Sequence, residues 1–131
     1  MEKGAAFSKE FNITAKLHSE FLALFEDNNP MHTDTAYARK HGFEEKIMHG
    51  NILCGFLSYF VGECLPTKNV IILSQKINFC KPFFIDDIID LRVIVNDIYE
   101  SVNLVELKFK FIKKSNLLLI AHGKLEIQIL K

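Results

Sequence analysis

Asp27 and His32 stand five positions apart in the stretch Asp27-Asn28-Asn29-Pro30-Met31-His32-Thr33-Asp34, on either side of an Asn-Pro step. A carboxylate and an imidazole placed this way can hold one water between them and move protons to and from it. So dense a polar cluster between two apolar, helix-like stretches points to chemistry. Further along, His49-Gly50-Asn51 precedes the most apolar run of the chain. A helix N-terminus there offers free N–H groups and a partial positive charge. A glycine lets a reacting group approach without a side chain in the way, so the Gly50 N–H is a candidate oxyanion donor.

The elements that must position these groups follow from periodicity. Phe7 to Ile13 reads as a short strand. Thr14 is placed to cap a helix over Ala15–Phe25, with Leu17, Phe21, Leu22 and Phe25 on one stripe. Asn29 precedes a proline and is pushed out of the helical region, which sets a bend beside Asp27. Thr33 or Asp34 caps a short second helix, ended by His41-Gly42. Ile52 to Gly62 is apolar on nearly every face, as expected for a helix enclosed by the rest of the fold, with Gly62 and Pro66 closing it.

The remainder is strand-like. Asn69 to Phe79 opens it, and Lys81-Pro82 marks a turn or edge. Ile89, Leu91, Val93 and Val95 alternate with polar residues, as do Val105, Leu107, Phe109 and Phe111. Leu119, Ala121, Gly123, Leu125, Ile127 and Ile129 complete the inward set. Short polar connections at Glu100-Ser101 and Lys114-Ser115-Asn116 predict antiparallel hairpins. One enclosed helix and one long antiparallel sheet give an α+β chain in the hot-dog arrangement, the sheet curled around the central apolar helix. A lone sheet leaves an unpaired edge, so a homodimer is the expected minimum.

Composition sets the outer limits. The chain's 131 residues suit one domain spanning 1–131. Sixteen basic residues balance sixteen acidic ones, with no basic block, so nucleic acid is not an expected partner. The nearly apolar run Ile52 to Val61 falls far short of the roughly 20 residues that span a bilayer, so no membrane partner is expected. Met1-Glu2-Lys3-Gly4 leads into mixed polar sequence, which predicts no signal peptide. Cys54, Cys64 and Cys80 lack metal-ligand spacing and read as reduced thiols of a cytoplasmic protein, with no zinc site. Phosphate loops and Gly-x-Gly-x-x-Gly are absent, so no organic cofactor and no metal are expected.

Phe25-x-Asp27-x-Asn29-Pro30-x-His32-x-Asp34, with Ala38, Gly42-Phe43 and Ile47-Met48-His49-Gly50, resembles the MaoC-type family of (R)-specific enoyl-CoA hydratases. The likeness continues through Leu65-Pro66, Phe79, Lys81-Pro82 and Asp86 or Asp87, and so spans roughly Phe21 to Val95. It implies that Asp27 and His32 are the catalytic pair and Gly50 the oxyanion donor. It implies further that Asn29 steadies the catalytic loop and that Ser58 hydrogen-bonds the catalytic carboxylate or its water. The implied substrate is a trans-2-enoyl thioester of coenzyme A or of acyl carrier protein, the thioester carrier being part of the substrate.

In that reaction a base draws a proton from water as oxygen attacks C3, and a proton reaches C2. Which of Asp27 and His32 takes the proton does not follow from the sequence, nor does the direction, hydration or dehydration. Phe56, Phe60 and Ile72 are expected to line the acyl tunnel, and phenylalanines there favour a short acyl group. Arg39, Lys40 and Lys46 read as a solvated face, and Cys54 as a small core residue. His49 is expected to anchor its loop, while His18, His41 and His122 need no functional role.

Two other readings share the fold. A hot-dog thioesterase often carries a carboxylate on the enclosed helix, and Asn51 to Gly62 holds none. A non-catalytic subunit of a heteromeric dehydratase has no need to keep Asp27, Asn29 and His32 together.

Overall fold

The computed structural model describes residues Met1–Lys131. In chain order the elements are β1 (Ala6–Asn12), α1 (Ala15–Phe25), α2 (Pro30–Thr33), α3 (Thr35–Lys40), α4 (Ile52–Glu63), β2 (Val70–Phe79), β3 (Ile88–Tyr99), β4 (Leu104–Lys113) and β5 (Leu119–Ile129). The strands form one antiparallel sheet in the order β1-β3-β4-β5-β2. The β3–β4 and β4–β5 hairpins are those expected from their short connections. β2 crosses over to pair with β5 and lies at one edge; β1 pairs with β3 at the other.

The core lies between the sheet's inner face and α4. Leu91, Val93 and Val95 of β3, Leu107 and Phe111 of β4, and Leu125 and Ile127 of β5 are buried against Leu53, Leu57, Phe60 and Val61. Each side chain of this size contributes about 1.5–3 kcal/mol on leaving water. The alternation predicted for β4 holds from Val105 to Phe111, and that for β3 from Ile89 to Val95, where a register shift before Asp97 ends it. In β5 it slips by one residue at the start, where Ile120 and Ala121 are both buried, because a bulge falls between the pairs Phe111–Ala121 and Ile112–Leu119.

α4 departs from expectation in two ways. It runs through Gly62 to Glu63, with Cys64 as its C-cap. It is also enclosed on one side only: Gly55, Ser58, Tyr59 and Gly62, at helical spacing, are exposed along its other face. The physical reason is that one five-stranded sheet covers one face of a helix. The apolar character of the open face (Tyr59 is 47% exposed) is therefore not satisfied within this chain. No helix is long and apolar enough to cross a membrane. All three cysteines are free thiols.

Candidate active site

α1 delivers the chain to the site. Thr14 caps it, its Oγ1 accepting from Leu17 N at 3.0 Å. Glu26 ends it in the left-handed region at φ 55°, with its N–H donating to the Leu22 carbonyl at 2.8 Å. That turn throws Asp27 out of the helix. The Asn29 Oδ1 accepts from Met31 N at 2.9 Å, and Pro30 supplies the first position of α2. Asn29 thus shapes the loop between the two catalytic candidates. Asp34, rather than Thr33, caps α3, and Gly42 at φ 91° ends that helix.

His32 is fixed from both sides. Its Nδ1–H donates to the Ile47 carbonyl at 2.9 Å, and Ile47 N–H donates to the Met31 carbonyl at 3.0 Å. A carbonyl can only accept, so Nδ1 carries a proton, and in the neutral form of the ring Nε2 is the acceptor left for other partners. Asp27, His32 and His49 each bring a ligand atom within 4.8 Å of the others. One water, at about 2.8 Å from each partner, can bridge that gap between Asp27 and His32. The same trio is a metal-capable donor set by type and spacing, which the cysteine-based reading of the sequence did not reveal.

His49 is buried and donates its Nε2–H to the Asp27 backbone carbonyl at 3.0 Å. This is the loop anchor expected of it. Its Nδ1 is buried with no partner. Burial holds its pKa below the ordinary 6.5, and the nearby His32 and His18 push the same way; the bond to Asp27 partly offsets them.

Gly50 lies one residue before the N-cap of α4. Asn51 occupies that cap position with its side chain making no capping bond. Neither Gly50 nor Asn51 donates a backbone hydrogen bond within the chain. The helix start therefore holds unspent N–H groups where the sequence predicts an oxyanion donor. A Cβ at Gly50 would meet the Phe79 ring at 3.0 Å, so the glycine also keeps this mouth open.

Asp27, His32, Gly50 and Phe56 line one pocket of about 950 Å³, together with Leu17, Phe21, Phe25, Ile52 and Cys54. That volume suits a small organic ligand. Phe56 stacks on Phe11 at 4.1 Å between ring centroids, making part of the wall stiff. A second recess, of about 430 Å³, meets His32, Gly50 and Asn51 from the side of Phe79 and Pro82.

Other candidates fall elsewhere. Ser58 lies on the open face of α4, one turn beyond Gly55, and makes no hydrogen bond to Asp27 within the chain; that face turns away from the sheet. Ile72 is half-buried against the core on β2 and Phe60 is fully buried in it, and neither lines the pocket. Cys54, expected in the core, lines the pocket and is only partly buried. Arg39 uses its Nε–H on the Glu44 carbonyl at 2.8 Å and serves its own loop. His18 has a role that the sequence did not suggest: its Nε2–H donates to the His32 carbonyl at 2.7 Å. Fourteen residues separate the two, and no local pattern marks such a contact.

Comparison with known proteins bears on the family and the fold. The model of the MaoC like domain matches residues 1–113. Over 97 residues the chain is 38% identical to an (R)-specific enoyl-CoA hydratase of Aeromonas caviae, covering 74% of this chain and 71% of that protein. A 3-hydroxybutyryl-CoA dehydratase of Methylorubrum extorquens is 32% identical over 60% of this chain and 50% of its own length. Among solved structures, the (R)-hydratase of A. caviae involved in PHA biosynthesis superposes with a TM-score of 0.90, at 29% identity, covering 98% of this chain and 97% of that one. The unliganded R-hydratase PhaJ1 of Pseudomonas aeruginosa gives the same score at 25% identity, covering 100% and 83%. By its hot-dog fold, its Asp27–His32 loop and these matches, the chain belongs to the MaoC-like family of (R)-hydratases and dehydratases.

Proposed function

We propose that this protein is a hydro-lyase that adds water reversibly across the double bond of a trans-2-enoyl thioester to give the (R)-3-hydroxyacyl form. The observation that carries the reading is one pocket holding the Asp27 carboxylate and a His32 ring nitrogen within water-bridging distance, next to the unspent Gly50 N–H. Asp27 and His32 share the water's proton and return one to C2. As oxygen adds to C3, charge moves onto the thioester oxygen, and the Gly50 amide at the helix start stabilises it. His32 enters as an acceptor through Nε2, because Nδ1–H is already given to Ile47.

Coenzyme A or an acyl carrier protein enters only as the carrier part of the substrate, and no other cofactor takes part. The stacked Phe11–Phe56 wall supports a short acyl group. A homodimer is supported by the exposed edge strand β2, where Ile71 and Leu73 are 46% and 51% exposed, and by the open face of α4. A second copy covering that face would also change the surroundings of Ser58.

The test is the loss of conjugated-enoyl absorbance from crotonyl-CoA, with Asp27→Asn and His32→Ala alongside. Turnover in the wild type that falls by about 10²–10⁴ in each variant is expected for lost acid–base groups. Full turnover by Asp27→Asn would overturn the mechanism. Hydrolysis of a saturated acyl-CoA at a matching rate would favour the thioesterase reading, against which stands the lack of any α4 carboxylate lining the pocket.

A further inference from the structure

The Asp27 backbone carbonyl accepts one hydrogen bond within the chain, from His49 at 3.0 Å, and the His32 carbonyl accepts one, from His18 at 2.7 Å. Both donors are buried imidazoles, 8% exposed for His18 and 2% for His49. They come from different elements, α1 and the segment before α4. Their rings lie 5.7 Å apart between centroids, and His49 also packs face to face on His32. Both bonds end on carbonyls, so both rings carry their proton on Nε2.

Burying a polar ring costs free energy unless it is hydrogen-bonded. Leucine at either position would satisfy packing alone. Asp27 itself is exposed, follows a residue in the left-handed region and belongs to no helix, and its own loop holds it by one long bond, the Asn29 N–H donating to its Oδ1 at 3.3 Å. We propose that His18 and His49 are positioning residues. Each tethers the backbone of one acid–base group from a fixed element, so that the Asp27 carboxylate and the His32 ring keep their spacing. This rests on the hydration reading above, in which Asp27 and His32 do the proton transfers.

The test is steady-state kinetics on crotonyl-CoA for His18→Leu, His18→Gln, His49→Leu and His49→Gln, each with its melting temperature, and Asp27→Asn as a control. Leucine removes the donor and keeps bulk; glutamine returns an amide N–H near the position of Nε2. The leucine variants are expected to lose about 10- to 100-fold in kcat with KM changed less than about threefold, as misplacement by a fraction of an ångström to an ångström does. The glutamine variants are expected to recover to within about fivefold of wild type.

Leucine variants with wild-type kcat would overturn the proposal. So would glutamine variants as impaired as the leucine ones at equal melting temperature. Should the His49→Leu chain not fold, the His18 pair decides by the same criteria. Full activity in Asp27→Asn would instead remove the acid–base reading beneath it, which keeps the two failures distinct.

Discussion

The imidazoles of His32 and His49 lie face to face, ring centroids 4.1 Å apart and planes inclined by 30°. One ring belongs to the Asp27–His32 loop and is partly open to the pocket; the other is buried and gives its N–H to that loop's main chain. Two stacked imidazoles tolerate one positive charge far better than two. The buried member is therefore the one held neutral.

That arrangement makes stability depend on pH in a definite direction. The folded-state pKa of His49 lies below 6.5, so as pH falls through 6.5 the unfolded chain takes up a proton that the folded chain refuses. Stability contributed by neutral His49 is present above 6.5 and declines as pH falls toward the folded value. Urea midpoints at pH 7.5 and 5.5 are expected to drop less for His49→Gln than for the wild type. Equal drops would show that His49 is not part of the linkage.

Gly50→Ala should separate binding geometry from folding. The new Cβ would stand 3.0 Å from Phe79 Cε1, yet Phe79 is 53% exposed and can swing outward. A stability change under about 1 kcal/mol is expected, with at least a tenfold loss of kcat/KM as the thioester oxygen is kept from the helix start. Unchanged kcat/KM would place the oxyanion elsewhere.

Gly123→Ala should do the reverse. A Cβ there collides with the Lys76 backbone carbonyl on the neighbouring strand β2, where no flexible side chain can yield. Relief requires breaking the β2–β5 ladder around the Gly123–Ile77 pair. A loss of at least about 2 kcal/mol in unfolding free energy is expected, together with faster amide exchange along β2. A variant of wild-type stability would contradict the close approach of these strands.

Asp87 ties the segment before β3 to the sheet. Its Oδ2 accepts from Phe84 N at 2.9 Å and pairs with Lys113 Nζ at 3.2 Å, in a setting where the two side chains are only 18% and 16% exposed. Asp87→Ala strands both donors and is expected to cost about 1–3 kcal/mol. In a thermodynamic cycle, Lys113→Met should soften the loss. Strict additivity of the two substitutions would mean that the pair is not coupled.

Much of this molecule was legible before folding was considered. The limits of α1 came from one apolar stripe and one capping threonine, and the inward residues of β3 and β4 from strict alternation, because these signals repeat within a few residues. The Asp27–His32 pairing was legible for the same reason: five residues and a proline set it locally. Legibility failed where contacts join distant segments. Ser58 is paired with Asp27 by the family resemblance alone, and within this chain it lies on the exposed face of α4. The missing information was which face of α4 the sheet would cover. Ile72 and Phe60 pack against or within the core rather than along this pocket, since an apolar residue on either element can face the core or a cavity.

The sequence by itself determined the Asp27–His32 loop, the elements flanking it and the glycine before the start of α4, all through short-range spacing and backbone preference. Only the tertiary structure decided that His18 and His49 would hold that loop by its carbonyls, across 14 and 22 residues, and that α4 would keep one apolar face open. Hydrogen bonds between remote segments and the coverage of one element by another depend on how the sheet curls and where its edge falls, and neither leaves a periodic trace in the chain.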